Sequence, residues 1–546
     1  MLGLMQQQPL MIASIIKHAA RHHGATEVVA KLTDGRIHRY TYADAEQRAR
    51  RLVRALEQLG VRPGDRVATL AWNDHRHFEI YYAVSGMGAI VHTVNPRLAP
   101  EDIVYIIGHA EDAVLFADPA FAPLVAAIVP ALPRLRAVVV MTDAGSMPAL
   151  ALPGSAQLLC YEDLIAASDA SYAWPEFDEN TASALCYTSG TTGRPKGVLY
   201  SHRSTLLHAY ACAVPDVLGI RATDRVMPIV PMFHANAWGI PYVAPMAGAA
   251  LVMPGRHLDG ASVHGLMDAE RVTASAGVPT VWLGLLHHLE STGARLASLE
   301  RLLCGGSACP SVLIETFRDK YGVRVGHGWG MTETSPVAAV NAAKPETEPL
   351  AGDAAVRQRA KQGRALFGVE MKIVDDAGDE LPWDGERFGD LLVRGPWVCR
   401  RYFRADEDAT GAGGWFATGD VATIDPTGTM EIVDRSKDVV KSGGEWISSI
   451  ALENIAIEHP DVAEAAIVGV SHPKWLERPL LVVVPKAGRS VEPTDVLRRY
   501  DGRVAKWWIP DEVAVVEEIP HTATGKINKL ALRARFRDYR LAAAGE

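Results

Sequence analysis

The stretch Tyr187-Thr188-Ser189-Gly190-Thr191-Thr192-Gly193-Arg194-Pro195-Lys196-Gly197 decides how this chain is read. It holds three glycines, four aliphatic hydroxyl side chains and two cations in eleven residues. Glycines let backbone approach a ligand closely. Successive N–H groups, hydroxyls and a lysine make a cradle for phosphate oxygens. The Gly-x-x-x-x-Gly-Lys-[Ser/Thr] spacing of a Walker A loop is absent. On composition alone the same stretch also reads as an exposed loop.

Upstream of this loop, short β-rich runs alternate with helical patterns. Val67–Asn73, Ala89–Asn95, Ala113–Asp118 and Ala137–Thr142 read as strands. The segments from about His77 to Met87 and from Asp102 to His109 read as helices. Such alternation implies parallel sheets covered on both faces. Thr41 and Asp44 form a capping-box-like start. Ala45, Ala49, Leu52, Val53, Leu56 and Leu59 follow at helical spacing, and Gly60 ends the helix. The row Arg48, Arg50, Arg51 and Arg54 reads as a solvated face, with an anion patch as the alternative.

Downstream, Val226–Val230, Leu251–Met253 and Ser275–Val278 continue the alternation. After about residue 365 the texture turns to short strands with polar connections, Glu370–Val374 and Asp390–Arg394 among them. Thr423–Arg435 reads as a hairpin with Pro-Thr-Gly in its turn. A polar, hinge-like stretch follows from Asp434 to Glu445, and the remainder mixes strands and helices.

Composition narrows the class. At roughly 150 residues per domain, 546 residues suggest two to four domains, or a large lobe with a smaller one. Hydrophobic residues at 48% and charged residues at 22% are ordinary for a globular chain and exclude a wholly disordered one. The net charge of −9 argues against a nucleic-acid partner. The six cysteines form no CxxC pair, which signals neither zinc nor redox chemistry and suits free buried thiols. The start MLGLMQQQPLMIAS has no cationic segment before its apolar part, so it does not read as a signal peptide. Apolar stretches such as Pro241–Pro254 are broken by Pro and Gly and fall short of a membrane span. A cytoplasmic location is the expectation.

Four further segments follow the glycine-rich loop in a fixed order. They are His327-Gly328-Trp329-Gly330-Met331-Thr332-Glu333, Thr418-Gly419-Asp420, Asp434-Arg435-Ser436-Lys437-Asp438 and Pro520-His521-Thr522-Ala523-Thr524-Gly525-Lys526. Together with the loop and its flank VLYSHRS, the set resembles the motifs of the adenylate-forming enzymes: acyl-CoA synthetases, adenylation domains of peptide synthetases, and luciferases. The opening MLGLMQQQPL, HRYTYADAEQRARRL and VLYSHRSTLLHA are similar to the branch holding medium- and long-chain fatty-acyl-CoA synthetases and 3-methylmercaptopropionyl-CoA ligases.

That resemblance implies a fold and a reaction. The fold combines a large N-terminal domain of α/β type, residues 1–434, with a β-rich subdomain at about 365–434. A small mobile α+β domain, residues 435–546, is joined to it by a hinge at 434–438. The implied reaction joins a carboxylate to the α-phosphate of ATP, releases pyrophosphate, and passes the acyl group to CoA. ATP, Mg²⁺ and CoA are the implied cofactor and co-substrates. The implied assembly is a homodimer. The readings kept beside it are a 3-methylmercaptopropionyl-CoA ligase and a carrier-protein acyl ligase.

The same resemblance distributes roles over residues. Lys526 bridges the carboxylate and the α-phosphate, where two anions need positive charge between them. Glu333 and Thr188 attend the metal, a hard cation that takes oxygen ligands. Thr188, Ser189, Gly190, Thr191, Thr192, Gly193 and Lys196 hold phosphates. Gly305, Gly306, Gly328, Trp329, Gly330 and Thr332 bind the nucleotide, with Trp329 stacked on adenine. Asp420 and Arg435 take the ribose hydroxyls. Lys437 is the hinge residue and also an ATP contact. Lys441, Ser442, Gly443, Gly444, Glu445 and Trp446 face CoA, and Trp446 resembles the gate tryptophan of fatty-acyl-CoA synthetases.

His234 stands where amino-acid-activating relatives carry an Asp, so no carboxylate is offered to an α-ammonium group. A bare apolar or aromatic acid is therefore favoured. His234, Trp238, Gly305 and Gly328 are expected to line the acyl pocket.

Overall fold

The computed structural model describes residues 1, 3–152, 156–188, 194–436, 438–442, 445–522 and 526–541, except for the side chains of Lys441, Glu445 and Trp446. Two large sheets and a four-stranded sheet make up the large N-terminal domain. A further sheet forms the smaller C-terminal α+β domain.

The first large sheet has seven strands in the order Gln157–Cys160, Ala137–Val140, Val114–Ala117, Arg66–Leu70, Ile90–Thr93, Ala182–Tyr187, Gly197–Ser201. The first six are parallel. The last is antiparallel and returns from the glycine-rich loop. Apolar runs such as Ala137–Val140, buried at every position, explain why the sheet is covered on both faces. The expected strands are present but shorter at their carboxyl ends: in place of Val67–Asn73 the strand is Arg66–Leu70, and Asn73 makes an isolated bridge to Gly255.

The second sheet has nine strands, with a parallel centre built from Arg225–Pro228, Ala250–Met253, Ala274–Gly277, Arg301–Cys304 and Arg324–Gly330. Strand Glu27–Lys31 joins it in parallel beside Ala250–Met253, a pairing of residues more than 200 apart in sequence. One continuous apolar cluster, from Ile12 to Ile432, packs between and beside the sheets.

Helix Tyr42–Gln58 begins as its sequence requires. The Thr41 hydroxyl accepts from the Asp44 N–H, and the Asp44 side chain accepts from the Thr41 N–H. One member of its arginine row, Arg48, departs from the solvated face expected for it. Arg48 Nε reaches Glu79 Oε1 at 2.8 Å, and its other nitrogens reach Glu162 at 3.0 and 3.1 Å. Glu79 is fully buried, and a buried carboxylate draws in a cation.

The β-rich part is an antiparallel sheet in the order Glu370–Val374, Gly389–Arg394, Phe416–Ile424, Met430–Arg435. The small domain orders its strands Glu445–Ile447, Val440–Ser442, Leu476–Pro485, Val462–His472, and Glu512–Val515 pairs in parallel with Leu476–Pro485. Separate apolar clusters form there, around Leu452 and Tyr500 and around Ile519 and Leu532. All six cysteines are free, five of them buried.

Candidate functional site

The carboxyl ends of both parallel sheets converge, which is where open α/β sheets bind ligands. Strand Ala182–Tyr187 delivers Thr188 and strand Arg301–Cys304 delivers Gly305 and Gly306. Strand Arg225–Pro228 leads into the segment from Ile229 to Trp238. A single side chain fixes that segment. Asn73 Nδ2 donates to the carbonyls of Pro228 and Val230, both at 2.8 Å, and its Oδ1 accepts the Met232 N–H at 2.6 Å. The Tyr81 hydroxyl adds a bond to the Met232 carbonyl at 2.5 Å.

Beyond His234 the chain makes a left-handed turn. Ala235, Asn236, Ala237 and Trp238 have φ of 42°, 52°, 49° and 55°, and Gly239 completes it at 81°. Left-handed geometry costs about 1–2 kcal/mol per non-glycine residue. Gly239 is required there, because a Cβ would lie 3.0 Å from the His208 ring. The turn swings Trp238 inward, where it is buried. Its indole lies 3.2 Å from the point where a Cβ on Gly305 would stand and 3.6 Å from the same point on Gly306. Trp238, Gly305 and Gly306 thus form one wall. Gly328 contributes its carbonyl, 2.8 Å from the Gly305 Cβ position, while its own Cβ position faces Leu303. The glycine at 330 answers to packing, since a Cβ would lie 2.0 Å from the Pro336 carbonyl oxygen.

Lys526 arrives at this wall from the small domain. Its loop is closed by the Thr522 N–H donating to the Lys526 carbonyl at 2.6 Å and the Lys526 N–H donating to Thr522 Oγ1 at 3.2 Å. Lys526 Cε stands 3.9 Å from the Cβ position of Gly306. Burial first, then the Arg435 charge, lower its pKa to about 8, while Asp420 and Glu333 pull the other way. His234 is lowered to about 4, by burial and then by Lys526. The imidazole is therefore neutral at physiological pH.

On the nucleotide side, Asp420 and Arg435 face each other across an antiparallel pair. Arg435 Nε lies 2.7 Å from Asp420 Oδ1, and Trp329 Nε1–H donates to Asp420 Oδ2 at 2.9 Å. The Asp420 side chain is 4% exposed and that of Arg435 is 48%. Burial pushes the Asp420 carboxyl up, and Arg435 and the Trp329 donor oppose that.

At the glycine-rich loop, residues 189–193 lie outside the described residues, so Ser189, Gly190, Thr191, Thr192 and Gly193 remain sequence expectations. Its neck is closed by Thr188 and Lys196: the Thr188 N–H donates to the Lys196 carbonyl at 2.9 Å, and the Lys196 N–H donates to Thr188 Oγ1 at 3.2 Å. The Tyr187 hydroxyl meets His109 Nδ1 at 2.6 Å. Lys196 Nζ lies 4.9 Å from the centre of the Tyr402 ring, and the Tyr402 hydroxyl donates to Glu333 Oε1 at 2.7 Å. Thr332 accepts the Tyr200 hydroxyl on its carbonyl at 2.6 Å.

Glu333 is buried, and its second carboxylate oxygen has no hydrogen-bond partner among the described residues. Among those residues no group of three or more His, Cys, Asp or Glu could hold a metal by itself. One free carboxylate oxygen fits Mg²⁺, which takes one or two carboxylates and completes its shell from phosphates and water.

The junction between the domains is bonded on both sides. Ser436 Oγ donates to Asp390 Oδ1 at 2.8 Å and its N–H to the Gly419 carbonyl at 3.0 Å. Asp434 accepts the Arg435 N–H at 2.7 Å and the Ser449 N–H at 3.0 Å. Lys437, Gly443 and Gly444 fall outside the described residues. Lys441 lies on strand Val440–Ser442, and Glu445 and Trp446 lie on Glu445–Ile447. Ser442 is buried, and its Oγ accepts from Arg478 at 3.3 Å inside the small domain. Tyr402, Asn73, Tyr81 and His109 were not legible as site residues. Each acts through a partner distant in sequence.

A fold and site of this kind define an adenylate-forming enzyme. The chain belongs to the AMP-binding enzyme family, whose model matches residues 16–403, with the AMP-binding enzyme C-terminal domain matching 451–526. It is 53% identical over 538 residues to 3-methylmercaptopropionyl-CoA ligase of Ruegeria lacuscaerulensis, covering 98% of this chain and 99% of that one. It is 50% identical to medium-chain-fatty-acid–CoA ligase of Ectopseudomonas oleovorans, covering 98% of each. The structure of an anthranilate CoA ligase with anthranoyl-AMP superposes with a TM-score of 0.85 at 25% identity, covering 98% of this chain and 99% of that one.

Proposed function

We propose that this protein is an ATP-dependent acid–thiol ligase that converts a bare carboxylic acid to its acyl-adenylate and then to its CoA thioester. One observation carries this reading. Lys526 of the small domain stands at the wall made by Gly306 and Trp238 and within electrostatic reach of Asp420, Arg435, Glu333 and His234. A cation at that wall supports the bridging role assigned to Lys526 between carboxylate and α-phosphate.

The residues then divide the work. Trp329, Asp420 and Arg435 orient the nucleoside. Thr188 and Lys196, with the intervening loop, hold phosphates. Glu333 and Thr188 would hold Mg²⁺, which when bound neutralises charge on the phosphate oxygens. Neutral His234 and the Trp238 wall receive an apolar acid and offer no carboxylate to an ammonium group. After adenylation the small domain, residues 435–546, turns about 434–438 on the large domain, residues 1–434, and brings the segment from Lys441 to Trp446 to the thiol. Reuse of one pocket with two linings explains a lysine that serves only the first half-reaction. Among the described residues no helix is long and apolar enough to cross a membrane. We read the enzyme as cytoplasmic and homodimeric.

The test is AMP release across acids of two to eighteen carbons and 3-methylmercaptopropionate, with and without CoA. CoA-dependent turnover supports the ligase. AMP release that ignores CoA and appears only when an acyl carrier protein is added favours transfer to a carrier protein. The relatives' names place both fatty acids and 3-methylmercaptopropionate in the panel.

A further inference from the structure

Tyr402 belongs to no segment singled out in the sequence, yet it touches two that are. Its hydroxyl donates to Glu333 Oε1 at 2.7 Å. Its ring carries Lys196 Nζ at 4.9 Å. The surrounding backbone repeats this double attachment. The Cys399 N–H donates to the Glu333 carbonyl at 2.7 Å, and the Phe403 N–H donates to the Gly197 carbonyl at 2.8 Å. The chain from Cys399 to Phe403 is therefore a strap, bonded at one end to the turn that bears Glu333 and at the other to the returning arm of the glycine-rich loop.

We propose that Tyr402 is a positioning residue that sets the distance and orientation between the metal-holding carboxylate of Glu333 and the phosphate-holding ammonium of Lys196. The inference rests on the adenylation reading above and adds a residue to it. A hydroxyl that donates to Oε1 fixes the rotation of the carboxylate and leaves the other oxygen for a cation. A lysine held on a ring face keeps its charge beside the phosphates without pairing with Glu333, which would neutralise both.

Two substitutions separate the functions. Tyr402→Phe keeps the ring and removes the donor. Tyr402→Leu removes both. With Tyr402→Phe the Mg²⁺ concentration for half-maximal pyrophosphate release rises about tenfold while KM for ATP stays within twofold. With Tyr402→Leu both rise about tenfold. A direct readout accompanies these: Mn²⁺ binding in the presence of a non-hydrolysable ATP analogue, followed by electron paramagnetic resonance, weakens about tenfold in both variants. Thermal melting checks that the variants are folded. Wild-type metal dependence and Mn²⁺ affinity in Tyr402→Phe overturn the proposal. If the wild type binds Mn²⁺ with the analogue yet activates no acid in the panel, the ligase reading fails and the Tyr402 comparison still stands. If it binds neither, both fail.

Discussion

Trp329 donates its indole N–H to Asp420 at 2.9 Å, so the aromatic expected on adenine and the acid expected on ribose are one hydrogen-bonded unit. Arg435 holds the remaining oxygen of that carboxylate. The ring cannot shift without disturbing the acid. Trp329→Phe keeps an aromatic face and removes the donor from a buried carboxylate. A hydrogen bond to a charged group contributes about 1.5–3 kcal/mol. The expected outcome is ATP affinity weakened by about tenfold or more, with little change in kcat, measured by equilibrium binding and steady-state kinetics. Unchanged affinity would show that the bond does not orient the nucleoside site.

Lys526→Ala removes the cation between the two reacting anions. Adenylate formation falls by about a hundredfold or more, the scale for losing one preorganised charge-stabilising group. Thioester formation from synthetic acyl-adenylate stays within a few-fold of wild type. Rapid-quench assays of each half-reaction check this, and equal loss of both steps contradicts the assigned role.

The pH profile follows from the same residue. Burial and Arg435 lower Lys526 to about 8, so in the free enzyme its charge is complete below that value and lost above it. The expected kcat/KM for ATP falls about tenfold per pH unit above about pH 8, because that parameter reports the free enzyme. Phosphates favour the charged form, so kcat persists to higher pH. The same group affects stability in a definite direction. A lowered lysine pKa means the unfolded chain binds more protons between about 8 and the ordinary lysine value, so this group's destabilising contribution is full below about 8 and lessens as pH rises.

Lys437→Pro tests the hinge. Ser436 and Arg435 are already tied to the large domain through Asp390, Gly419 and Asp420, which stabilises the arrangement that presents Lys526. Proline restricts rotation about residue 437, and the proposed hinge role needs that rotation only for the second half-reaction. Adenylation is expected within a few-fold of wild type and thioesterification reduced by about a hundredfold, read from separate half-reaction assays. Parallel loss of both would remove the hinge role.

Much of this was legible because the chemistry is written locally. The glycine-rich loop is announced by its composition, while Trp329, Asp420, Arg435 and Lys526 are picked out by the order of motifs that resembles the adenylate-forming enzymes. The alternation of strands and helices announced parallel sheets, and the hairpin ending at Arg435 was readable from its turn. What stayed hidden depends on partners far along the chain. Nothing local to Glu27–Lys31 says that it pairs with Ala250–Met253. Arg48 looked solvated because its partners, buried Glu79 and half-buried Glu162, lie on other elements. The left-handed turn has one readable cue, Gly239, and the alanines within it suggest an ordinary helix. Tyr402 carries no motif, and its meaning appears only when Lys196 and Glu333 arrive on either side.

The three hydrogen bonds made by Asn73 make the pocket segment depend on one amide group. Its amide nitrogen donates to two carbonyls, a task that no carboxylate can perform. Hydrolysis of that one amide would set a carboxylate oxygen against the oxygens of Pro228 and Val230, beside Asp74, whose carboxyl burial already raises to about 7. The segment leading to His234 and Trp238 would be released.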